Sequence, residues 1–322
     1  MTTETLRDPR HCVIGPGRVG SAVLASLSVG GAAPVAVGIS PNTEPDPDAT
    51  PPRLPLAAAL VTTLRPDCLN VLWLTVPDDT IRRVAAEAAR TISERRLPCD
   101  ALLAVHLSGL GRLCLLAPLT DLGATPLSLH PLQSFARRPD GDPLADVPIA
   151  VTAADEEGEA VGRRLAVQLG GHPFALGDDD KPLYHLAAVT AANLFVALEA
   201  QAADLLGRAT GGDPDEAVQR LGPLVTTTLR NLCDLGPAGA LTGPVARGDI
   251  GTVREHLALL RDLPPRFAEV YRSLSLDALS LAAPRLDDEA VAALHELLGT
   301  YADRDSTATD ASTVPAPRRR SP

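Results

Sequence analysis

Aromatic side chains are scarce in this chain, with one Trp, three Tyr and four Phe among 322 residues. Hydrophobic residues still make up 45%, so a sizeable core is available, but it has to be built from Leu, Val and Ala. Cysteine is sparse as well. Cys12, Cys68, Cys99, Cys114 and Cys233 are scattered, odd in number and form no CxxC pair. That pattern argues against a disulfide framework and against a structural zinc site. Reduced thiols in a cytoplasmic protein are expected. Basic charge is in deficit, since 29 Lys and Arg stand against 40 Asp and Glu and the formal net charge is -11. Such a chain has no electrostatic footprint for nucleic acid. No apolar run approaches the roughly 20 residues of a membrane span. The N-terminal MTTETLRDPRH lacks the apolar core of a signal peptide. Neither a nucleic acid nor a membrane is expected as a partner, and no metal site is expected.

What is present is a change of rhythm along the chain. HCVIG (11–15), PVAVGIS (34–40), LNVLWLTV (69–76), ALLAVHLSG (101–109), TPLSLHP (125–131) and VPIAVTA (147–153) are short apolar runs bounded by turn residues. Runs of this kind suit strands buried on both faces of a parallel sheet. Helical patterns such as TIRRVAAEAARTI (80–92) lie between them, which predicts a doubly wound α/β domain over residues 8–178. PNTEPDPDATPPR (41–53) reads as a loop. After HPFALG (172–177) the strands stop. A helix is expected over about 182–207, with Asp179 or Asp180 as its cap and Pro182 in its first turn, and further helices near 213–234, 249–262, 264–283 and 287–301. Residues 179–302 thus read as a mostly α-helical second domain. The tail 303–322 is almost free of apolar residues and is expected to be disordered.

VIGPGRVGSAV (13–23) carries Gly15, Gly17 and Gly20 in G-x-G-x-x-G spacing between an expected strand and an expected helix. In that context the first glycine makes the tight turn, the second lets a pyrophosphate reach the backbone and the third lets helix and strand pack closely. The helix N-terminus adds free N–H groups and a positive dipole end. The motif predicts dinucleotide binding by Gly15, Pro16, Gly17, Arg18, Val19 and Gly20. Ligands of such sheets lie beyond the carboxyl ends of strands, which adds Val76, Pro77 and Ser108. Asp79 reads as the N-cap of the helix after the strongest strand. An acidic residue at the end of the second strand would favour NAD. Here that strand ends GISPN, so Ser40, Asn42 and Thr43 could meet a 2′-phosphate, while Arg53 lies further on. NADP(H) is therefore expected over NAD(H), with NAD(H) kept open.

VIGPGRVG, TVPDDTI, HLSGLG, SLHPLQSF, KPLYHLAAVTAANLF and ALTGPVARGDIGTVREHL occur in that order. Over residues 10–300 the chain resembles the Rossmann-like proteins that carry a domain of unknown function numbered 2520 (DUF2520). That family is similar in architecture to pyrroline-5-carboxylate reductase and to 3-hydroxyacid dehydrogenases. The resemblance implies a nicotinamide-dependent reductase whose helical C-terminal domain makes a homodimer. Some proteins of this type are assigned as ketopantoate reductases.

Hydride transfer to a carbonyl needs a proton donor, hydrogen-bond donors on the oxygen, and a cation for any substrate carboxylate. His185, Val189 and Asn193 are spaced four apart, so a continuous helix would put them near one face. His185 is a candidate acid and Asn193 a candidate for orienting the carbonyl. Lys181, one turn earlier, is the competing acid; the related dehydrogenases use a Lys and an Asn on this helix. His130 and Gln133 follow a strand. His-Pro makes that chain extended, so His130 is a candidate at the cleft. In GALTGPVARGD, Gly243 and Gly248 suggest close approach to the backbone, and Asp249 reads as a helix cap. Thr242 and Arg247 are then free for substrate, with Asn231 a weaker candidate. Three readings stay open: a reductase of a small 2-oxo acid such as ketopantoate, a cyclic imine reductase of the pyrroline-5-carboxylate type, and a non-catalytic dinucleotide-binding protein.

Overall fold

The computed structural model describes residues 9–135 and 141–299; the expected disordered tail lies outside the described residues. The strands are β1 (Arg10–Ile14), β2 (Ala36–Ile39), β3 (Arg53–Pro55), β4 (Asn70–Leu74), β5 (Leu102–His106), β6 (Thr125–Pro131), β7 (Pro148–Ala153) and β8 (His172–Ala175). They form one sheet in the order β3-β2-β1-β4-β5-β6-β7-β8. All neighbours are parallel except β6 and β7. The expected parallel sheet therefore holds as far as β6. A parallel return needs a crossover, usually a helix. Among the described residues between β6 and β7 there is none, and β7 runs back antiparallel.

Five helices accompany the sheet: α1 (Arg18–Val29), α2 (Leu56–Thr63), α3 (Ile81–Arg95), the short α4 (Ala117–Thr120) and α5 (Glu156–Gln168). Alternation along the strands divides their side chains between two cores. Cys12 and Ile14, Leu72 and Leu74, and Leu102 and Ala104 pack with Leu60 of α2 and Ile81, Ala85 and Ile92 of α3. Val13, Val71, Trp73, Leu103 and Val105 pack on the other face with Val23 and Leu27 of α1 and Val161 and Leu165 of α5. Burial on both faces is why these strands read as continuous apolar runs. The single Trp is fully buried and donates its Nε1–H to His11 Nδ1 at 3.1 Å. Burial draws His11 down to about 4, so it stays neutral.

The chain divides into two compact units after Phe195, later than the 178/179 boundary expected from the sequence. The first unit therefore also contains α6 (Lys181–Val189) and a π-helical turn, Thr190–Leu194. The second contains most of α7 (Phe195–Thr210), then α8 (Pro214–Ala240), α9 (Ile250–Leu260), α10 (Pro265–Ala282) and α11 (Asp288–Gly299). Val253, Leu257, Phe267, Leu279, Leu294 and Leu298 from α9, α10 and α11 form its core.

Two local expectations change. Asp180 does occupy the N-cap position of α6, but its side chain makes no capping bond, and Asp179 pairs with Arg112 at 2.9 Å instead. The stretch Lys181–Thr210 is one helix long and apolar enough, by length and composition, to cross a membrane. No contiguous apolar run of that length exists in it, because Tyr184, His185, Asn193, Glu199 and Asp204 interrupt it.

Candidate active site

The G-x-G-x-x-G loop is shaped by three different demands. Gly15 has φ +91°, and a Cβ there would come within 2.8 Å of Val76 Cγ1. Its N–H donates to Gly38 O at 2.9 Å, tying the loop to β2. Gly17 is the N-cap of α1 and has open space where a Cβ would stand. No side chain caps that helix and no acidic residue lies in its first turn. Gly20 is buried against the backbone of Gly15 and the hydroxyl of Thr75. The loop opens onto a cleft of about 630 Å³ at the carboxyl ends of β1, β2 and β4.

Gly15, Pro16, Gly17, Ser40, Val76 and Pro77 line this cleft. Arg18 and Val19 do not; Arg18 is exposed and Val19 packs against the core, leaving their backbones at the start of α1. Gly20 contributes by letting α1 approach the loop. Arg53, which looked remote in sequence, also lines the cleft beside Ser40 and Thr43. The segment read as a loop ends in β3, whose Arg53 pairs in parallel register with Val37 of β2. A short edge strand ending in proline gives little periodic signal, which is why it was missed.

Asp79 does not cap α3. It lies in a 3-10 turn, Asp78–Thr80, and the N-cap is Thr80 without a side-chain bond. Its neighbour Asp78 accepts a 2.6 Å hydrogen bond from Ser108 Oγ. That oxygen also accepts from the Gly111 N–H at 2.7 Å. The Ser108 hydroxyl is thus committed to joining the loops after β4 and β5, and Ser108 is outside the lining of the cleft.

Beyond Ser108 lies a second constellation, built on β5, β6 and α6. Lys181 is completely buried. Its Nζ donates to Ser108 O at 3.0 Å and to Ser128 Oγ at 2.8 Å. An ammonium has three N–H donors; the third has no acceptor among the described residues. Burial lowers Lys181 to about 8, while the charges of Asp178 and Asp78 oppose that shift. It therefore remains largely protonated at neutral pH. His130 Nε2 and His185 Nδ1 converge on the same place, each 2.9 Å from where a Cβ on Gly109 would stand. His185 Nδ1 is buried with no hydrogen-bond partner among the described residues. Burial, with the charges of Lys181 and His185 adding to it, lowers His130 to about 4. His106 is buried beneath, accepts the Ser108 N–H through Nδ1 and is drawn down to about 3, mainly by burial and then by Lys181. Without a Cβ, Gly109 lets both imidazoles close on its backbone, where any larger residue would crowd them.

Lys181, His185 and His130 are therefore brought together. Asn193 is not seen joining them. It sits in the π-helical turn, is exposed and makes no hydrogen bond with a described residue. A π-turn closes i→i+5 rather than i→i+4, so Asn193 belongs to a wider turn of the helix than His185 does. Ser128 was missed although it lies two residues before His130 on a strand, the period that places both on one face.

The candidates of the second unit are exposed. Asn231 lies on α8, Thr242 just beyond it, and Arg247 ends a 3-10 turn, Val245–Arg247. Asp249 caps α9 as expected, accepting from Thr252 N–H at 3.0 Å and Thr252 Oγ1 at 2.7 Å. Those bonds lower its pKa. Gly243 and Gly248 are explained by φ of +97° and +70°, and Gly243 has only open space at its Cβ position. Backbone conformation is what requires glycine at Gly243. At Gly248 a Cβ would also crowd Ala290 and Leu286 at 3.3 Å.

Strand order and glycine cradle together define a Rossmann-like fold, and residues 1–131 match the Rossmann-like domain. Residues 147–278 match the domain of unknown function DUF2520. The two matches follow one another along the chain, a Rossmann-like domain and then a DUF2520 domain. Solved structures of similar fold include a protein of Bacteroides fragilis described as an NADP oxidoreductase (21% identity, TM-score 0.61, covering 85% of this chain and 98% of that one). An imine reductase of Myxococcus stipitatus in complex with NADP+ is also similar (18%, 0.54, 88% and 99%). So is an NADH-preferring ketol-acid reductoisomerase from an uncultured archaeon (14%, 0.56, 94% and 91%). At these identities the likeness is one of fold. No curated protein matches the chain.

Proposed function

We propose that this protein is an NADPH-dependent reductase of a small 2-oxo acid. The observation that carries the reading is Lys181, a buried ammonium with one unused N–H beside the loops that frame a glycine cradle. The cleft fits a dinucleotide. Gly17 offers open backbone, the α1 N-terminus is uncapped, and the volume is in the range of small-molecule sites. Gly15, Pro16 and Gly17 would hold the pyrophosphate, and Val76 and Pro77 would flank the cofactor. When bound, the nicotinamide supplies the hydride. Lys181 then stands to give its third proton to the oxygen that becomes an alkoxide, while Ser108 O and Ser128 Oγ fix its direction. His130 and His185 line the space where that oxygen would sit.

The same ammonium favours a neutral carbonyl over a cyclic imine. An imine is reduced as its iminium, and a second cation beside buried Lys181 would be repelled in a medium of low effective dielectric. Among the solved structures of this fold is an imine reductase, so the comparison is worth making directly. Arg247 is exposed and its charge acts on Asp249; a substrate carboxylate is the further partner proposed for its guanidinium. Ketopantoate is the first substrate to try, with pyrroline-5-carboxylate alongside. Consumption of NADPH with a 2-oxo acid supports the reading. Consumption with the imine alone, or with no substrate of either kind, overturns it.

Preference for NADPH rests on Arg53, Ser40 and Thr43, which share the part of the cleft beyond β2. A guanidinium with hydroxyl donors suits a 2′-phosphate; the carboxylate in the cleft lining, Glu87, comes from α3 rather than from the end of β2, where an acidic residue would favour a ribose diol. Arg53→Ala is expected to weaken NADPH binding roughly 10- to 100-fold, the range of a charged hydrogen bond, and to leave NADH binding nearly unchanged. Fluorescence titration with both cofactors checks this; equal losses for both would remove Arg53 from the 2′-phosphate site.

A homodimer in the cytoplasm is proposed with this activity. In the second unit Val196 is 67% exposed on α7, and Leu224 and Leu235 are 65% and 62% exposed on α8. An apolar groove of about 250 Å³ between α7 and α10 is lined by Leu198, Leu205, Phe267 and Leu274. Charges nearby are paired within their own helices, Asp204 with Arg208 and Glu216 with Arg220. A projecting apolar helix and an apolar groove on the same unit suit a second copy. A bilayer would instead have to take up Glu199, Asp204 and Arg208. Sedimentation equilibrium should give twice the chain mass, and Leu224→Glu with Leu235→Glu should give monomers. A monomeric wild type would refute the dimer.

A further inference from the structure

Tyr184 is absent from every expectation drawn from the sequence, yet it touches the centre of the site. Its hydroxyl lies 2.7 Å from His130 Nδ1. The two rings stand edge to face, 5.5 Å apart and at 87°. Phe174 of β8 also packs against the phenol, with ring centroids 6.1 Å apart. Tyr184 is therefore held between β8 and β6, one helical turn along α6 from Lys181. Burial pushes Tyr184 up to about 12 and draws His130 down to about 4, so both rings are neutral across the physiological range.

A neutral imidazole carries one N–H and one lone pair, and its neighbour decides which nitrogen has which. The phenol is the stronger acid and the imidazole nitrogen the stronger base, so Tyr184 donates and Nδ1 accepts. The proton of His130 is then on Nε2. That nitrogen makes no hydrogen bond with a described residue. It faces the place over Gly109 where His185 Nδ1 also points. The Ser108 carbonyl next to Gly109 is held by Lys181.

We propose that Tyr184 is a positioning residue that locks His130 in its Nε2–H tautomer, so that a neutral donor stands over Gly109 beside the Lys181 ammonium. The inference rests on this cluster being the reaction site. A ligand oxygen bound between them would receive two unlike donors. Lys181 has a proton to give up, and His130 holds its own and keeps the oxygen in place. Such a pair selects ligands that bring lone pairs. A carbonyl oxygen accepts from both, whereas an iminium N–H would face His130 donor to donor. The imidazole adds no second positive charge, so it does not compete with Lys181 for the role of acid.

The test is nitrogen-15 NMR of the imidazoles in the full chain without ligand, with His130 assigned by the signals lost in His130→Gln. The wild type should show a protonated Nε2 and an unprotonated Nδ1 for His130. Tyr184→Phe keeps the ring packed against Phe174 and removes only the hydroxyl. It should give mixed tautomers and lower kcat/KM for the carbonyl substrate about 10- to 100-fold, toward the loss of an oxyanion donor, with NADPH affinity unchanged. Protonated Nδ1 in the wild type, or an unchanged tautomer in Tyr184→Phe, would overturn the inference. If the variant does not fold, the wild-type tautomer decides alone. Because the spectrum is read without substrate, a protein that shows the Nε2–H form but reduces no carbonyl refutes the functional reading and leaves the role of Tyr184 intact.

Discussion

Replacing Lys181 with Met should lower kcat by about 10²- to 10⁴-fold, the usual contribution of a positioned general acid, while cofactor binding stays near that of the wild type. Met fills the same space and removes the proton. The pH dependence distinguishes this from a packing effect. Lys181 has its pKa lowered to about 8, so the wild-type kcat should fall as pH rises through that region and the ammonium is lost. Stability should move the other way. A lysine whose folded pKa lies below its unfolded value binds fewer protons when folded than when unfolded, between about pH 8 and the ordinary value near 10.4. Wild-type stability should therefore rise with pH across that window. At pH 7 the cost of burying the charge is fully present, with an upper limit of about 3 kcal/mol for a shift of this size. Lys181→Met removes that cost but leaves Ser128 Oγ without its donor and Ser108 O with only the Ser128 hydroxyl at 3.4 Å, at roughly 1–3 kcal/mol for each lost bond. The expected net change at pH 7 is small, and the rise above pH 8 should disappear. Denaturant unfolding at pH 7 and pH 9.5, run beside the kinetics, reads both. A variant that keeps its turnover rules Lys181 out as the acid.

Gly20→Ala should be the most damaging single methyl in the cradle. The added Cβ would strike the carbonyl oxygen of Gly15 and come within 2.6 Å of Thr75 Oγ1. Neither can yield easily. Thr75 Oγ1 already bonds Ile14 O at 2.9 Å and Gly15 O at 2.7 Å, and Gly15 is tied to β2 through Gly38. The start of α1 must move off the loop, at about 1–3 kcal/mol or more, as for other overpacked sites. Dinucleotide affinity should fall with it by at least about 100-fold, since the anion-binding N–H groups depend on where α1 begins. Gly17→Ala is the informative partner. Its Cβ meets nothing within 4 Å, so its unfolding should match the wild type while binding suffers from the methyl in the path of the phosphates. Thermal unfolding and cofactor titration on the two variants separate architecture from ligand approach. Equal stability losses in both would contradict the division of roles.

Much of the sheet unit was legible in the sequence. Continuous apolar runs mark β1, β2, β4, β5, β6 and β7, because a strand covered on both faces needs no alternation. The glycine spacing marks the cradle, because each glycine answers a steric demand made within a few residues or by the next strand. Asp249 was legible for a similar reason, since a cap acts within one helical turn. Where the sequence misled, the deciding contact was remote. Asp79 looked like a cap, but its neighbour Asp78 is engaged by Ser108 from the loop after β5. The π-turn at Thr190–Leu194, which widens the helix between His185 and Asn193, left no mark in their four-residue spacing.

The sequence by itself determined the class of fold, the position of the cradle and the residue types available for chemistry, since these follow from local sterics and from the period of apolar residues. Tertiary structure alone decided which of those residues meet. Parallel pairing of β3 with β2 carries Arg53 into the cleft. Packing of α6 beside β5 and β6 buries Lys181 between Ser108 and Ser128 and sets Tyr184 on His130. Those encounters join residues dozens of positions apart. They depend on strand order and on the depth to which a side chain is buried, and neither is written in the spacing of neighbouring residues.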